Sequence, residues 1–203
     1  MLTSMNTMSI EKRKYELKSR AAAQQQTRER IVTATMELHQ EVGPALTTVA
    51  EVARRAGVQR LTVYNHFPDE LELFGACQSH WMRLHPLPEF AAALAAADPT
   101  ERVRAVLRGQ YGWYRETEPM AENIQRDRRA VPALDSLLER TADARLDQLA
   151  DELGRSPGTH GGDRRALVRL ALDFWTWRRL SSEGLDDDAA ADLMTAAIDS
   201  ARD

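Results

Sequence analysis

The sequence predicts an all-α protein. Apolar residues recur at three- and four-residue spacing, and no strand-length run alternates. Ala is abundant while β-branched residues do not cluster, a composition that favours helices. Helix start and stop signals also recur along the chain: acidic or hydroxyl caps, proline at first turns and glycine at ends.

The elements follow in order. Residues 1–26 form a basic arm, with Lys12, Arg13, Lys14, Lys18 and Arg20 ahead of an Ala/Gln run. That composition suits either a disordered arm or an extension of the next helix. From Thr27 to Val42, residues Ile31, Ala34, Leu38 and Val42 fall at helical spacing, and Gly43-Pro44 ends the helix. Thr48 and Glu51 form a Thr-x-x-Glu capping box that opens a second helix. Gly57 closes it in the left-handed conformation, and a short third helix covers about 59–67. Pro68-Asp69 starts a fourth, to about Leu84, and a short helix is expected over 88–97. Asp98-Pro99 with Glu101 opens a helix through Tyr114, Pro119 opens another to about Val131, and a third runs from Pro132 to Leu153. Residues 154–162 read as a loop, Asp163 to Leu180 as an apolar helix, and about 186–201 as a last helix.

The 203 residues are enough for one sizeable core, or for a small domain joined to a larger one. No stretch approaches the roughly 18 to 20 apolar residues that span a membrane, and the first residues lack the apolar core of a signal peptide. A single cysteine, Cys77, excludes an internal disulfide, so a cytoplasmic protein with no membrane partner is expected. Charge is uneven. Residues 1–67 hold ten Lys or Arg against six Asp or Glu, whereas the remainder holds 17 against 25. A basic head on an acidic body points to a polyanionic partner.

Two short helices joined by a glycine turn suggest a helix-turn-helix, with Ala53, Gly57 and Val63 at the small, turn and apolar positions. With Val63 turned inward, the other side of 59–66 faces outward. It carries Arg, which pairs with guanine, and Gln and Asn, which pair with adenine. Thr, Tyr and His reach phosphate oxygens and set register.

The full run resembles the DNA-binding domain of TetR-family transcriptional regulators: Arg30-Ile31, Gly43, Leu46-Thr47-Thr48-Val49-Ala50-Glu51-Val52-Ala53, Ala56-Gly57-Val58, Thr62-Val63-Tyr64-Asn65-His66-Phe67 and Leu73. The resemblance implies a three-helix DNA-binding domain over 27–74 and a larger helical ligand-binding and dimerisation domain over 75–203. It also implies a homodimer on an inverted-repeat operator in double-stranded DNA, released by a small-molecule effector. Carried over by position, Thr48 contacts phosphate, Gln59, Arg60, Leu61 and Asn65 face base edges, and Thr62, Tyr64 and His66 hold the backbone. Two residues depart from the family pattern. Gln59 stands where a small residue is common, and Glu70 stands where a phosphate-binding Lys is usual.

The resemblance further implies that the last two predicted helices form the dimer contact, here through Ala171, Trp175, Trp177, Leu180, Leu193, Met194, Ala197 and Ile198. The central helices are expected to wall a ligand pocket with Trp81, Met82, His85, Tyr111, Trp113, Tyr114, Met120, Ile124 and Phe174. Cys77 reads as packing, and the histidines show no metal spacing, so neither metal nor cofactor is expected. No nucleotide-binding Gly loop, HExxH or Gly-x-Ser-x-Gly occurs, and no enzyme is expected. The alternative is a helical interaction or sensor module that has lost specific DNA binding.

Overall fold

The computed structural model describes residues 3–155 and 161–200, with side chains described from Lys18 on the first helix and from Asp163 after the second gap. Helix α1 spans Thr3–Glu41, so the basic stretch and the first predicted helix are one element. The side chains of Lys12, Arg13 and Lys14 lie outside the described residues. Those from Lys18 to Gln26 are exposed. Further along, Ile31, Ala34 and Leu38 are buried as their spacing demands. Val42 is not: it falls past the helix end and is 40 % exposed. Gly43 makes the exit at φ 92, which only glycine adopts freely, and Pro44–Leu46 forms a 3-10 turn.

Helices α2 (Val49–Ala56), α3 (Arg60–His66) and α4 (Glu70–Leu84) follow. The Thr48 side chain accepts from the Glu51 amide at 3.2 Å, but the reciprocal half of the capping box is absent because the Glu51 carboxylate turns to Arg54. Gly57, at φ 65, closes α2 in the left-handed region. Asp69 caps α4 by accepting from the Glu72 amide at 2.7 Å. Ile31, Leu38, Val52, Ala53, Val63 and Phe67 then close one core over these four helices. Ala53, 2 % exposed, is a small residue within that core, and Val63, 1 % exposed, anchors α3 in it.

The second half departs from expectation in three places. Only Ala91–Leu94 (α5) is helical in the segment predicted over 88–97. Phe90 is its buried anchor, and so short an alanine segment has too little packing to extend. Next, Pro119 opens no new helix. It lies inside α6, which runs from Pro99 to Asp127. Proline there costs one backbone bond. Burial of Thr117 and Met120 on either side holds the helix continuous, and the Thr117 hydroxyl donates to the Trp113 carbonyl at 2.7 Å. Helices α7 (Pro132–Leu138) and α8 (Ala144–Gly154) are continuous through a π-helical turn, Glu139–Asp143.

Third, the predicted helix over 163–180 is two helices, α9 (Gly161–Ala171) and α10 (Phe174–Ser182). Asp173 caps α10 by accepting from the Trp175 amide at 2.8 Å. The carbonyls of Ala171 and Leu172, freed at the break, accept the hydroxyls of Tyr111 and Tyr114, each at 2.8 Å. Helix α11 (Asp187–Ser200) completes the fold. A larger core of α6, α8, α9, α10 and α11 forms around Tyr111, Leu107, Leu172, Phe174 and Trp177. The loop expected over 154–162 lies mostly outside the described residues. No strand occurs among the described residues, and no described helix is long and apolar enough to cross a membrane.

Candidate DNA-binding face and ligand cavity

Because Val63 and Phe67 are buried, the remaining sides of α3 are set outward. Gln59, Arg60, Leu61, Tyr64 and Asn65 are exposed, and Thr62 and His66 lie at the edge. Leu61 is 66 % exposed and Tyr64 54 %, a costly display of apolar surface on so short a helix. Gln59 occupies the N-cap yet makes no side-chain cap bond, so its amide remains available. Thr48, exposed at the start of α2, caps with an oxygen lone pair and keeps its hydroxyl proton to donate.

A residue not singled out from sequence holds this face in place. Arg28 on α1 donates to the His66 carbonyl at 2.8 Å, lies 4.0 Å over the Phe67 ring and pairs with Glu72 at 3.2 Å. It thereby satisfies the last turn of α3 and ties it to α4. Its spacing, 38 residues from His66, leaves no local signal. Glu70 is exposed at the first position of α4 beside the capping Asp69.

Beyond α4 lies a cavity of about 400 Å³. Of the nine expected walls, Trp81, Met82, Trp113, Tyr114, Met120, Ile124 and Phe174 line it. Two do not. Tyr111 is fully buried in the core, its hydroxyl committed to Ala171. His85 stacks on the Trp81 ring at 3.9 Å, outside the lining. The walls also include Met36 and His39 from α1, Phe74 and Cys77 from α4, Leu134 and Leu138 from α7, Thr141 of the π-helical turn, and Arg145 and Leu146 of α8. The π-helical turn places Thr141 within 2.9 Å of Gln78, a local widening of the kind found at functional sites. Burial pushes the Cys77 thiol up to about 12, which keeps it protonated and unreactive near neutral pH.

His39 is 4 % exposed and stacks on Phe74 at 5.3 Å. Burial pushes its pKa down to about 4, against a smaller upward pull from Asp127, so it is neutral at neutral pH. Around it, α6 is latched to the end of α1. Asn123 donates to the carbonyls of His39 and Gln40 at 3.0 and 2.9 Å, and Arg126 donates to that of Val42 at 3.2 Å. Asp127, 6 % exposed, accepts from the Ala45 amide at 3.0 Å and pairs with Arg126 at 2.7 Å. Burial alone would raise its carboxyl; the Arg126 and Ala45 donors outweigh burial and hold it below the usual carboxylate range.

The expected dimer residues divide. Trp175, Leu193 and Ala197 are exposed on α10 and α11, and Leu180 and Met194 are half-buried against the core. Ala171, Trp177 and Ile198 are corrected: each is 0 % exposed in the core of the single chain and cannot also face a partner. Leu170, 53 % exposed on α9, is an additional outward apolar side chain. Among the described residues, no cluster of three or more His, Cys, Asp or Glu could hold a metal.

Residues 31–77 match the family described as bacterial regulatory proteins, tetR family. The N-terminal domain of this chain is a tetR-family domain. The tetR-family match coincides with the core that sets α3 outward. Among curated proteins, the chain is 31 % identical over 86 residues to the HTH-type transcriptional regulator BetI of Yersinia pestis, 41 % of this chain and 43 % of that protein. It is 40 % identical over 67 residues to the HTH-type transcriptional regulator SrpR of Pseudomonas putida, 33 % of this chain and 30 % of that protein. The chain therefore spans less than half the length of these relatives. Across the whole fold it resembles a TetR-like transcriptional regulator from Rhodococcus sp. RHA1, with TM-score 0.58, 22 % identity and 85 % and 93 % of the two chains covered. It also resembles NalD of Pseudomonas aeruginosa, the secondary repressor of the MexAB-OprM multidrug efflux pump, with TM-score 0.59, 21 % identity and 87 % and 95 % covered. At these identities the likeness concerns the fold: a tetR-family helix-turn-helix domain followed by a larger helical domain.

Proposed function

We propose that this chain is a ligand-responsive, DNA-binding transcriptional regulator, a repressor that binds an inverted-repeat operator as a homodimer and leaves it when a small organic effector fills the cavity. The observation that carries the reading is the exposed side of α3. A short helix anchored by Val63 and Phe67 presents Gln59, Arg60, Leu61, Tyr64 and Asn65 to solvent. In a major groove Arg60 would pair with guanine, Gln59 and Asn65 with adenine, and Leu61 would meet a thymine methyl. Thr48, Thr62, Tyr64 and His66 would set register on phosphates.

One short helix reads too few bases to select an operator, so two-fold pairing follows. Trp175, Leu193 and Ala197, with Leu170, are the outward apolar side chains for that contact. The two reading heads must sit one helical turn apart on the DNA, and an effector that prefers a different spacing releases them. BetI and SrpR, which the chain matches over 86 and 67 residues, are named as transcriptional regulators, and NalD as a repressor.

The test is a mobility-shift assay of the full chain on the DNA upstream of its own gene, at moderate salt, with Arg60→Ala and Tyr64→Phe beside wild type. Sequence-specific retardation by wild type and weaker binding by Arg60→Ala are expected, with a loss of about 1–3 kcal/mol for one base contact. Absence of any sequence preference in wild type refutes the regulator reading and favours the sensor module, for which exposed Glu70 at the DNA-facing start of α4 is the supporting feature.

A further inference from the structure

The cavity carries a charge pattern that narrows its occupant. Its body is apolar and aromatic, with Trp81, Trp113, Met120 and Phe174 among the walls. No Asp or Glu occurs among the described residues lining it, and one lining side chain is permanently cationic: Arg145 on α8. His39, the other basic group of the lining, is neutral at neutral pH.

Arg145 is unusual among the arginines around it. Arg128 pairs with Asp135 and Asp143, Arg165 with Asp151, and Arg169 with Asp147. For Arg145 no ion pair with a carboxylate is found among the described residues. Its Nη1 donates to the Gln110 side-chain oxygen at 3.1 Å, its Nη2 reaches the Pro88 carbonyl at 3.4 Å, and it lies 5.2 Å over the Phe90 ring. A guanidinium has five N–H donors, and these two contacts use two of them. None of its nitrogens is sealed in protein without a partner. Half-buried as it is, the cation is held down from the ordinary arginine pKa by burial. A desolvated cation with spare forked donors and no acid beside it is a site for a planar anion.

We propose that the effector is a small organic anion, a carboxylate on an apolar body, with Arg145 as its counter-ion and the aromatic walls around its hydrocarbon. This rests on reading the cavity as the effector site. A cationic ligand, which aromatic walls alone would also welcome, is disfavoured by Arg145 and by the absence of acids in the described lining. The volume lies at the low end for small-molecule sites, about 300–1,000 Å³.

The experiment uses the full chain and matched probes that differ only in the head group: hexanoate, decanoate, phenylacetate and phenylbutyrate, each beside its alcohol and its amine, titrated calorimetrically. At least one carboxylate should bind about tenfold or more tighter than its alcohol, with the amine weakest. Arg145→Gln should bring that carboxylate and its alcohol to within about twofold, with the alcohol's own affinity retained as evidence of an intact cavity. Arg145→Lys should keep part of the preference, because the charge remains without the fork. The proposal is overturned if no carboxylate exceeds its alcohol in wild type, if an amine binds best, or if the preference persists in Arg145→Gln. Should Arg145→Gln fail to fold, the head-group order in wild type and in Arg145→Lys decides. Operator binding by the same unliganded preparations is measured separately, so a failure of the regulator reading shows there and not in the titration.

Discussion

Replacing His39 by Phe should remove a large part of the acid sensitivity of this fold. The ring is 4 % exposed, stacked on Phe74, and its pKa lies at about 4 against 6.5 for a free imidazole. Above pH 6.5 the ring is neutral in both the folded and unfolded chain, and stability does not depend on it. As pH falls below 6.5 the unfolded chain takes up a proton that the folded chain refuses. Stability therefore drops until the folded-state pKa is passed near pH 4. At about 1.4 kcal/mol per unit the whole difference is about 3 kcal/mol, of which about 2 kcal/mol is already lost by pH 5. Asp127 works in a lower window, because its carboxyl is held below the usual range and its contribution fades only as pH falls through that lowered value. Phe keeps the stack and leaves the His39 backbone carbonyl free to accept from Asn123. Urea unfolding of wild type and His39→Phe at pH 7 and pH 5 gives the comparison. Wild type should lose about 2 kcal/mol more than the variant between the two. Equal losses, or an imidazole that titrates near 6.5 by NMR in the folded protein, would refute the burial argument.

Three further outcomes are expected. Glu70→Lys should tighten operator binding and steepen its salt dependence by about one phosphate contact in a titration of affinity against salt; an unchanged slope would place residue 70 away from the DNA. Trp175→Glu combined with Leu193→Glu should convert a dimer to a monomer by analytical ultracentrifugation with an unchanged helical circular-dichroism spectrum, because both side chains already face solvent. Gly43→Ala should destabilise by about 1–3 kcal/mol in urea, since φ is +92 and the new methyl would lie 2.3 Å from both Arg126 Nη2 and Asp127 Oδ2. A neutral Gly43→Ala variant would mean that the latch onto α6 is loose in solution.

How far the sequence discloses this molecule depends on whether the determining contacts are local. The head is legible because its signals are. Thr48 caps within three residues, Gly57 turns the chain by itself, and Asp69 caps the next helix within three. The errors fall where distant residues decide. Pro119 looks like a helix start until burial on both sides of it is known. The break after Ala171 is completed by hydroxyls of Tyr111 and Tyr114, about 60 positions away in the chain. Trp177 and Ile198 look like dimer residues because apolar spacing cannot say whether a face meets its own chain or another. The same blindness applies to the cavity. Aromatic residues of α4 and α6 draw notice as walls, whereas Met36, His39 and Arg145 enter it only because α1 and α8 pack against those helices.

On the proposed reading, the cavity and the head are coupled by shared helices. Helix α6 supplies Gln110, Trp113, Met120 and Ile124 to the cavity, then Asn123, Arg126 and Asp127 to the end of α1. Helix α4 begins at the cap that follows α3 and carries Trp81 and Met82 into the same cavity. An anion at Arg145 and Gln110 would sit about 25 Å along α6 from Asp127, at 1.5 Å per residue. That head group therefore cannot touch Asp127, and acts on it by tilting or shifting a helix, although the cavity itself reaches His39 and Ile124 beside the latch. A tilt of only about 5° over that length moves the far end about 2 Å. The latch would transmit such a motion and not slip, because its Asp127 is buried and its bonds are charge-assisted, so breaking one leaves a buried carboxylate short of donors. The size of the response is still set by how much better the effector fits the shifted cavity than the resting one. Moving the population from about 1:99 to 99:1 requires a preference of roughly 10⁴. An ionic anchor at one pole and aromatic walls along the helix that must move are a way to build that preference, because the head group fixes the ligand while its body presses on α6.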